Sequence, residues 1–176
     1  TMKNFVSTVL LSTMVFALVG CSSIPKGAKA VTDFELDKYL GSWYEIARLD
    51  FVFEKDLNNT TANYSVEKEG IVTVLNRGFN PLKNQWKEAK GKAKFRGSPT
   101  VGELAVSFFG PFYSGYNILS LDENYTYALI AGKDTKYLWF LSRKNTMSEE
   151  VKQKYIQIAK QLGYDTDQLV WVEHTH

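Results

Sequence analysis

The segment Glu88-Ala89-Lys90-Gly91-Lys92-Ala93-Lys94-Phe95-Arg96 decides the fold. Small or apolar residues hold every second position and charged residues the positions between, which is the period of a strand with one dry and one wet face. A helix would scatter these lysines around its circumference. The dry face carries Ala89, Gly91 and Ala93 where a filled core would want Leu or Phe, so the strand also predicts space behind it.

Outward from this segment the same alternation recurs. Strands are expected over Trp43–Phe51, Thr61–Glu67 and Ile71–Phe79 before it, and over Leu104–Phe109, Tyr116–Leu121, Tyr125–Gly132 and Tyr137–Arg143 after it. Lys68-Glu69-Gly70 and Asn80-Pro81-Leu82 supply turn chemistry between neighbours. The period then changes. Val151, Tyr155, Ile158 and Leu162 fall at helical spacing between a capping box, Thr146 with Glu149, and a stop at Gly163. Leu169–Val172 suits a short final strand. The fold class is therefore all-β. Eight antiparallel strands with short connections would expose edges as an open sheet, so they close into an up-and-down barrel followed by a C-terminal α-helix. There is no internal repeat, and residues 32–176 read as one barrel domain.

Composition narrows the function. The chain of 176 residues carries 21 Lys+Arg against 19 Asp+Glu, a net charge of +2 without a basic block, which lacks the electrostatic footprint of a nucleic-acid binder. One Cys cannot form an internal disulfide. The two histidines, His174 and His176, stand in the last three residues and read as a frayed tail rather than as ligands. Glu45 and Asp50 sit on the first strand at an odd separation, which points them to opposite faces and separates them as an acid/base pair. No catalytic residue, metal set or cofactor site is expected.

The N-terminus reads as an address. Lys3 precedes an apolar stretch from Phe5 to Gly20 that Ser7, Thr8, Ser12 and Thr13 interrupt. It is too short and impure for a membrane span and fits a signal peptide over residues 1–20. Leu18-Val19-Gly20-Cys21 resembles the bacterial lipobox, which implies a diacylated Cys21 thiol, cleavage before it, and an acylated new amino terminus. The alternative, a buried small hydrophobe, lacks a core strand nearby. Two or more acyl chains hold a protein stably to a bilayer. Residues 21–31 then form an acylated tether, and Ser22 at the following position implies the outer membrane rather than inner-membrane retention.

Three stretches carry a family resemblance. Gly41-Ser42-Trp43-Tyr44-Glu45 matches a G-x-W-[YF]-[EA] signature at the start of a first strand. Asp122–Ala128 holds an acidic and aromatic turn between two late strands, and Trp139-Phe140-Leu141-Ser142-Arg143 is a strand ending in Arg before a helix. Together they resemble the lipocalins over residues 33–173 and, with the lipobox, the bacterial outer-membrane lipoproteins of that family. The resemblance implies that Trp43 and Arg143, with Gly41, plug the closed end of the barrel, guanidinium over indole. A role for Arg143 as partner of a ligand anion is the alternative. It also implies that Tyr64 and Asn76 face inward. The alternation then adds Gly91, Ala93 and Phe95, Leu104, Val106 and Phe108, Tyr116 and Ile118, and Trp139 and Leu141. Each either lines a pocket or packs the core. Asn76 and Tyr64 are the informative ones, since polar groups facing an apolar interior need partners.

At the open end, Phe51-Val52-Phe53 and Phe109-Gly110-Pro111-Phe112-Tyr113 form apolar rims. They either fold inward to fill the mouth or serve as membrane contact, homodimer interface or ligand gate. The resemblance implies a noncatalytic carrier that stores or transports a lipid, such as a fatty acid or lysophospholipid, in membrane biogenesis or maintenance. It would be anchored to the outer membrane through Cys21 and face the periplasm. The family's isomerases use a pocket Cys, and the one Cys here precedes the barrel. The alternative is a structural envelope lipoprotein with a filled barrel.

Overall fold

The computed structural model describes residues 22–175. The signal segment and Cys21 lie outside the described residues. A single helical turn, α1 (Leu36–Tyr39), leads into nine strands and a second helix: β1 (Gly41–Leu49), β2 (Asn58–Lys68), β3 (Ile71–Asn80), β4 (Gln85–Phe95), β5 (Glu103–Phe109), β6 (Phe112–Leu121), β7 (Tyr127–Ala131), β8 (Leu138–Ser142), α2 (Glu149–Gln161) and β9 (Leu169–Trp171). Strands β1 to β8 pair antiparallel in sequence order and β8 returns to β1, which closes the barrel. Strand β1 pairs with β2 only over Gly41–Tyr44, and β9 takes its edge over Ala47–Leu49.

The turns follow their chemistry. Gly70, at φ +77°, makes the tight β2–β3 turn with Glu69. In the β3–β4 turn the Asn80 side chain accepts a hydrogen bond from the Lys83 amide at 3.0 Å. Helix α2 begins later than the expected capping box: its N-cap is Ser148, whose Oγ accepts from the Val151 amide. Thr146 instead gives its carbonyl to the Ser142 hydroxyl at 2.8 Å. Local sequence offers both Thr146 and Ser148 as caps, and the tertiary bond to β8 selects between them. Gly163, at φ +86°, ends the helical run as expected.

Two cores result. Inside the barrel Trp43, Tyr64, Val72, Val74, Ala93, Leu104, Ile118, Ala128, Ile130 and Leu141 pack together. Outside it, Tyr155 and Ala159 of α2 cover Ile46, Ala47, Leu129, Leu138 and Phe140. The register of β1 against β8 shifts between Glu45 and Ala47, so a bulge resets which residues face inward. Trp43 packs in the inner core, whereas Ile46, Ala47 and Leu49 pack in the outer one. The bulge overturns the parity argument for Glu45 and Asp50, because Arg48 bonds to both of them.

The expected frayed tail is also corrected. The His174 ring bonds the Glu45 carbonyl at 2.8 Å and stands edge-on to Tyr44. The Asn59 amide donates to the Glu173 carbonyl, and the Asn59 side chain accepts from the Thr175 amide. The C-terminal segment thus fills the gap where β1 and β2 separate.

Candidate functional site in the barrel

At the closed end the Arg143 guanidinium lies 3.9 Å over the Trp43 ring. It donates to the carbonyls of Lys38, Tyr39, Ser42 and Tyr125. Trp43 Nε1 donates to the Tyr39 carbonyl at 2.8 Å. Gly41, at φ +94°, has a backbone conformation that disfavours a side chain, and its Cβ position lies 3.4 Å from the guanidinium. Asp122 Oδ1 caps the β6–β7 turn by accepting from the amides of Thr126 and Tyr127. All three signature stretches therefore meet at one end. All four hydrogen bonds described for Arg143 go to protein carbonyls, which fits the plug and leaves little for a ligand anion.

Above the plug is a small apolar cavity of about 10 Å³, lined by residues that include Tyr39, Tyr64, Val72, Val74, Ala93 and Tyr116. That is at the limit for one water molecule. Three phenols form its polar feature. Tyr116 bonds through its hydroxyl to that of Tyr39 at 2.5 Å and to that of Tyr64 at 2.7 Å. Burial raises the pKa of all three, so they are neutral hydroxyls. The roomy cavity expected behind β4 is corrected at this depth. A Cβ on Gly91 would meet the Phe108 ring and the Ser107 carbonyl at 2.7 Å, so the glycine admits a neighbouring ring rather than leaving a void.

The sequence-expected residues separate by depth. Tyr64, Ala93, Leu104, Val106 and Tyr116 line the cavity. Ile118 and Leu141 are buried in the inner core, and Phe95 packs on Phe34. Toward the mouth, Asn76 and Trp139 are half-buried and Phe108 is exposed. Among the described residues nothing bonds to the Asn76 amide side chain. Sequence reasoning missed Phe34, Leu36, Tyr39, Val72 and Val74 as lining residues. The period that selects Asn76 also selects Val74 and Val72, whereas Phe34, Leu36 and Tyr39 precede the barrel and carry no strand signal.

Sequence reasoning also missed a buried charge cluster near the mouth. Arg48 is buried and pairs with Glu45 at 3.1 Å, Asp50 at 3.0 Å and Glu54 at 3.8 Å. It also donates to the carbonyls of Glu54 and Leu57, which straps the β1–β2 loop to the barrel wall. Trp139 Nε1 donates to Glu54 Oε2 at 3.1 Å. Burial pushes the Glu45 carboxyl well above the usual carboxylate range and raises Glu54 as well, and their mutual repulsion adds to the shift of Glu45. One guanidinium faces the two buried carboxylates of Glu45 and Glu54 and the more exposed Asp50, and the upward shifts of the Glu45–Glu54 pair oppose the excess of negative charge.

The rim loops divide. Phe51 turns inward, with ring centroids 5.8 Å from both Trp139 and Tyr137. Val52, Phe53, Phe109 and Phe112 stay outside.

A closed eight-stranded barrel with a plugged base, an apolar interior and an open mouth is the architecture of a small-molecule binding protein. The chain belongs to the lipocalin family: residues 34–174 match the family model described as a lipocalin-like domain. It is 50% identical over 157 residues to outer membrane lipoprotein Blc of Vibrio cholerae, covering 89% of this chain and 92% of that one. To outer membrane lipoprotein Blc of Escherichia coli K12 it is 47% identical over 167 residues, 94% of each chain. Insecticyanin from the tobacco hornworm Manduca sexta shares the fold at a TM-score of 0.67 and 20% identity, covering 85% of both chains.

Proposed function

We propose that this chain is an outer-membrane lipoprotein, acylated at Cys21, that holds a single-chain lipid in the open half of its barrel as a noncatalytic store or carrier. A fatty acid or lysophospholipid fits this reading, with membrane biogenesis or maintenance as its setting. The carrying observation is the gradient of burial along the inner wall. Val72 and Val74 are sealed at depth, while Asn76 and Trp139 on the same inner surface remain half-buried toward the mouth. An acyl chain entering there gains about 0.8 kcal/mol per buried methylene. The Asn76 amide offers a polar contact. Kinship with the Blc outer membrane lipoproteins supports the location and a binding rather than enzymatic role.

The small volume at the barrel base favours a second reading, a structural envelope lipoprotein with a filled interior. Titration of the mature protein with palmitate and with a lysophospholipid separates the two. The carrier gives a saturable change in tryptophan fluorescence that Trp139→Phe abolishes, and the structural lipoprotein gives none. For the anchor, Cys21→Ala should yield uncut precursor, because the lipobox peptidase is expected to act on the diacylated thiol. Normal maturation and outer-membrane retention of that variant would refute the assignment.

A further inference from the structure

The apolar side chains left outside are concentrated at one end. Among the described residues, five large hydrophobic side chains are far more exposed than the rest: Val52 and Phe53 at 79% each, Leu82 at 79%, Phe109 at 82% and Phe112 at 74%, against 45% for the next, Val66. Val52 and Phe53 lie in the β1–β2 loop, Leu82 in the β3–β4 turn, and Phe109 and Phe112 flank the β5–β6 turn. In an up-and-down barrel these three connections share the end opposite Trp43 and Arg143. They ring the mouth. The turns at the closed end, Glu69-Gly70 and residues 122–126, present no comparable group.

The tether leads to the same end. Val31 bonds to Ile118 and to Gly102, and the Phe34 amide donates to the Thr100 carbonyl, which fixes this stretch near the closed-end β4–β5 connection. Going back toward the N-terminus, the chain runs up the outer face of β6 to Ser23. There the Ser23 carbonyl accepts from Asn117 Nδ2 at 2.9 Å. A Cβ on Gly115 would collide with that carbonyl, so the glycine seats the tether against the strand. Gly115 lies about 10 Å along β6 from Phe112 at the rim. Cys21, two residues before Ser23, is within about 7 Å of chain from it.

We infer that the barrel docks mouth-down on the lipid surface to which Cys21 anchors it, with the apolar tips of its three rim loops immersed in that surface. This rests on the proposed acylation of Cys21. Acyl chains at Cys21 and the phenylalanines of the β5–β6 turn would then enter one bilayer leaflet side by side. Burial in lipid removes the apolar tips from water, and the mouth opens onto the phase that holds single-chain lipids. A ligand then passes between bilayer and barrel without crossing water.

The test uses the mature acylated protein reconstituted in phosphatidylethanolamine/phosphatidylglycerol vesicles. Acylation consumes the native thiol, so Phe53→Cys, Phe112→Cys and, as a closed-end control, Glu69→Cys each supply one reactive position for an environment-sensitive fluorophore. All three sites are exposed, so the substitutions spare the core. Labels at 53 and 112 should blue-shift and lose emission to doxyl-labelled acyl chains, while the label at 69 should do neither. Rim labels as wet as the control, in protein that floats with the vesicles, overturn the inference and leave the anchor standing. Failure to float refutes the anchor and the inference with it. Self-quenching between rim labels without a response to doxyl lipid identifies a second copy as the occupant and also overturns it.

Discussion

Tyr116→Phe tests how the barrel base is held together. Its hydroxyl is the middle member of a row, bonded to Tyr39 at 2.5 Å and to Tyr64 at 2.7 Å inside an otherwise apolar cavity. Removing it breaks both bonds and leaves two buried hydroxyls with only each other as polar neighbours. Each orphan costs about 1–3 kcal/mol, so the substitution should destabilise by about 2–6 kcal/mol before the two remaining phenols relax toward each other. Tyr64→Phe or Tyr39→Phe removes only an end of the row. One bond goes and no new orphan appears, for a loss of about 0.5–1.5 kcal/mol. Replacing all three by Phe deletes donors and acceptors together and should sit close to wild type, because the cost lies in the unmatched hydroxyls. Urea unfolding followed by tryptophan fluorescence measures the series. A Tyr116→Phe variant no less stable than Tyr64→Phe, or a triple variant much worse than Tyr116→Phe, would show that the row does not hold the base.

Other outcomes follow from the charge cluster, the cavity and the tether. Glu45 and Glu54 have raised carboxyl pKa values in the folded chain; the folded state therefore holds protons that the unfolded state releases, and stability falls as pH rises from the ordinary carboxyl range toward the folded values. Glu54→Gln keeps an acceptor for Trp139 while removing one negative charge, so it should be more stable than wild type near pH 7 and flatten the decline above the ordinary carboxyl range; an unchanged slope of stability against pH in urea melts above that range defeats the assignment. Ala93→Trp must place an indole where about 10 Å³ is free and should cost about 1–3 kcal/mol; a melting temperature that barely moves would mean a hollow base. Gly115→Ala drives a methyl into the Ser23 carbonyl and should release residues 22–30 to protease while the barrel melts as before. Protection of that segment in the variant would refute its seating on β6.

The alternation of Glu88 to Arg96 was enough to establish an amphipathic strand, because side-chain period is a local property of the backbone. The same logic located all eight barrel strands, the helix ending at Gly163 and the short final strand. The signatures around Trp43 and Arg143 placed the plug, the resemblance turned Tyr64 inward, and the interior parity of Val106 and Tyr116 held because the register shifts of β5 and β6 fall beyond them, after Val106 and after Ile118. What parity could not reach was β1 beyond Glu45. A single extra residue at the bulge shifts the phase, and nothing local distinguishes Ile46 as that residue, since the pairing with β8 and the demands of α2 on the outer face decide it.

Volume was equally beyond the sequence. Small residues on β4 report only that one wall is thin. Whether the space stays empty depends on what the opposite wall extends into it, and Phe108 reaches over Gly91 while Tyr39, from outside the barrel strands, closes the base. Composition, period and turn chemistry thus determined the chain's class and its strand order, because those are set by neighbours in sequence, and the family signatures implied which end is plugged. The small volume left at the barrel base, the Arg48 strap and the course of the tether up β6 were decided by tertiary structure, because each depends on contacts between groups far apart in the chain.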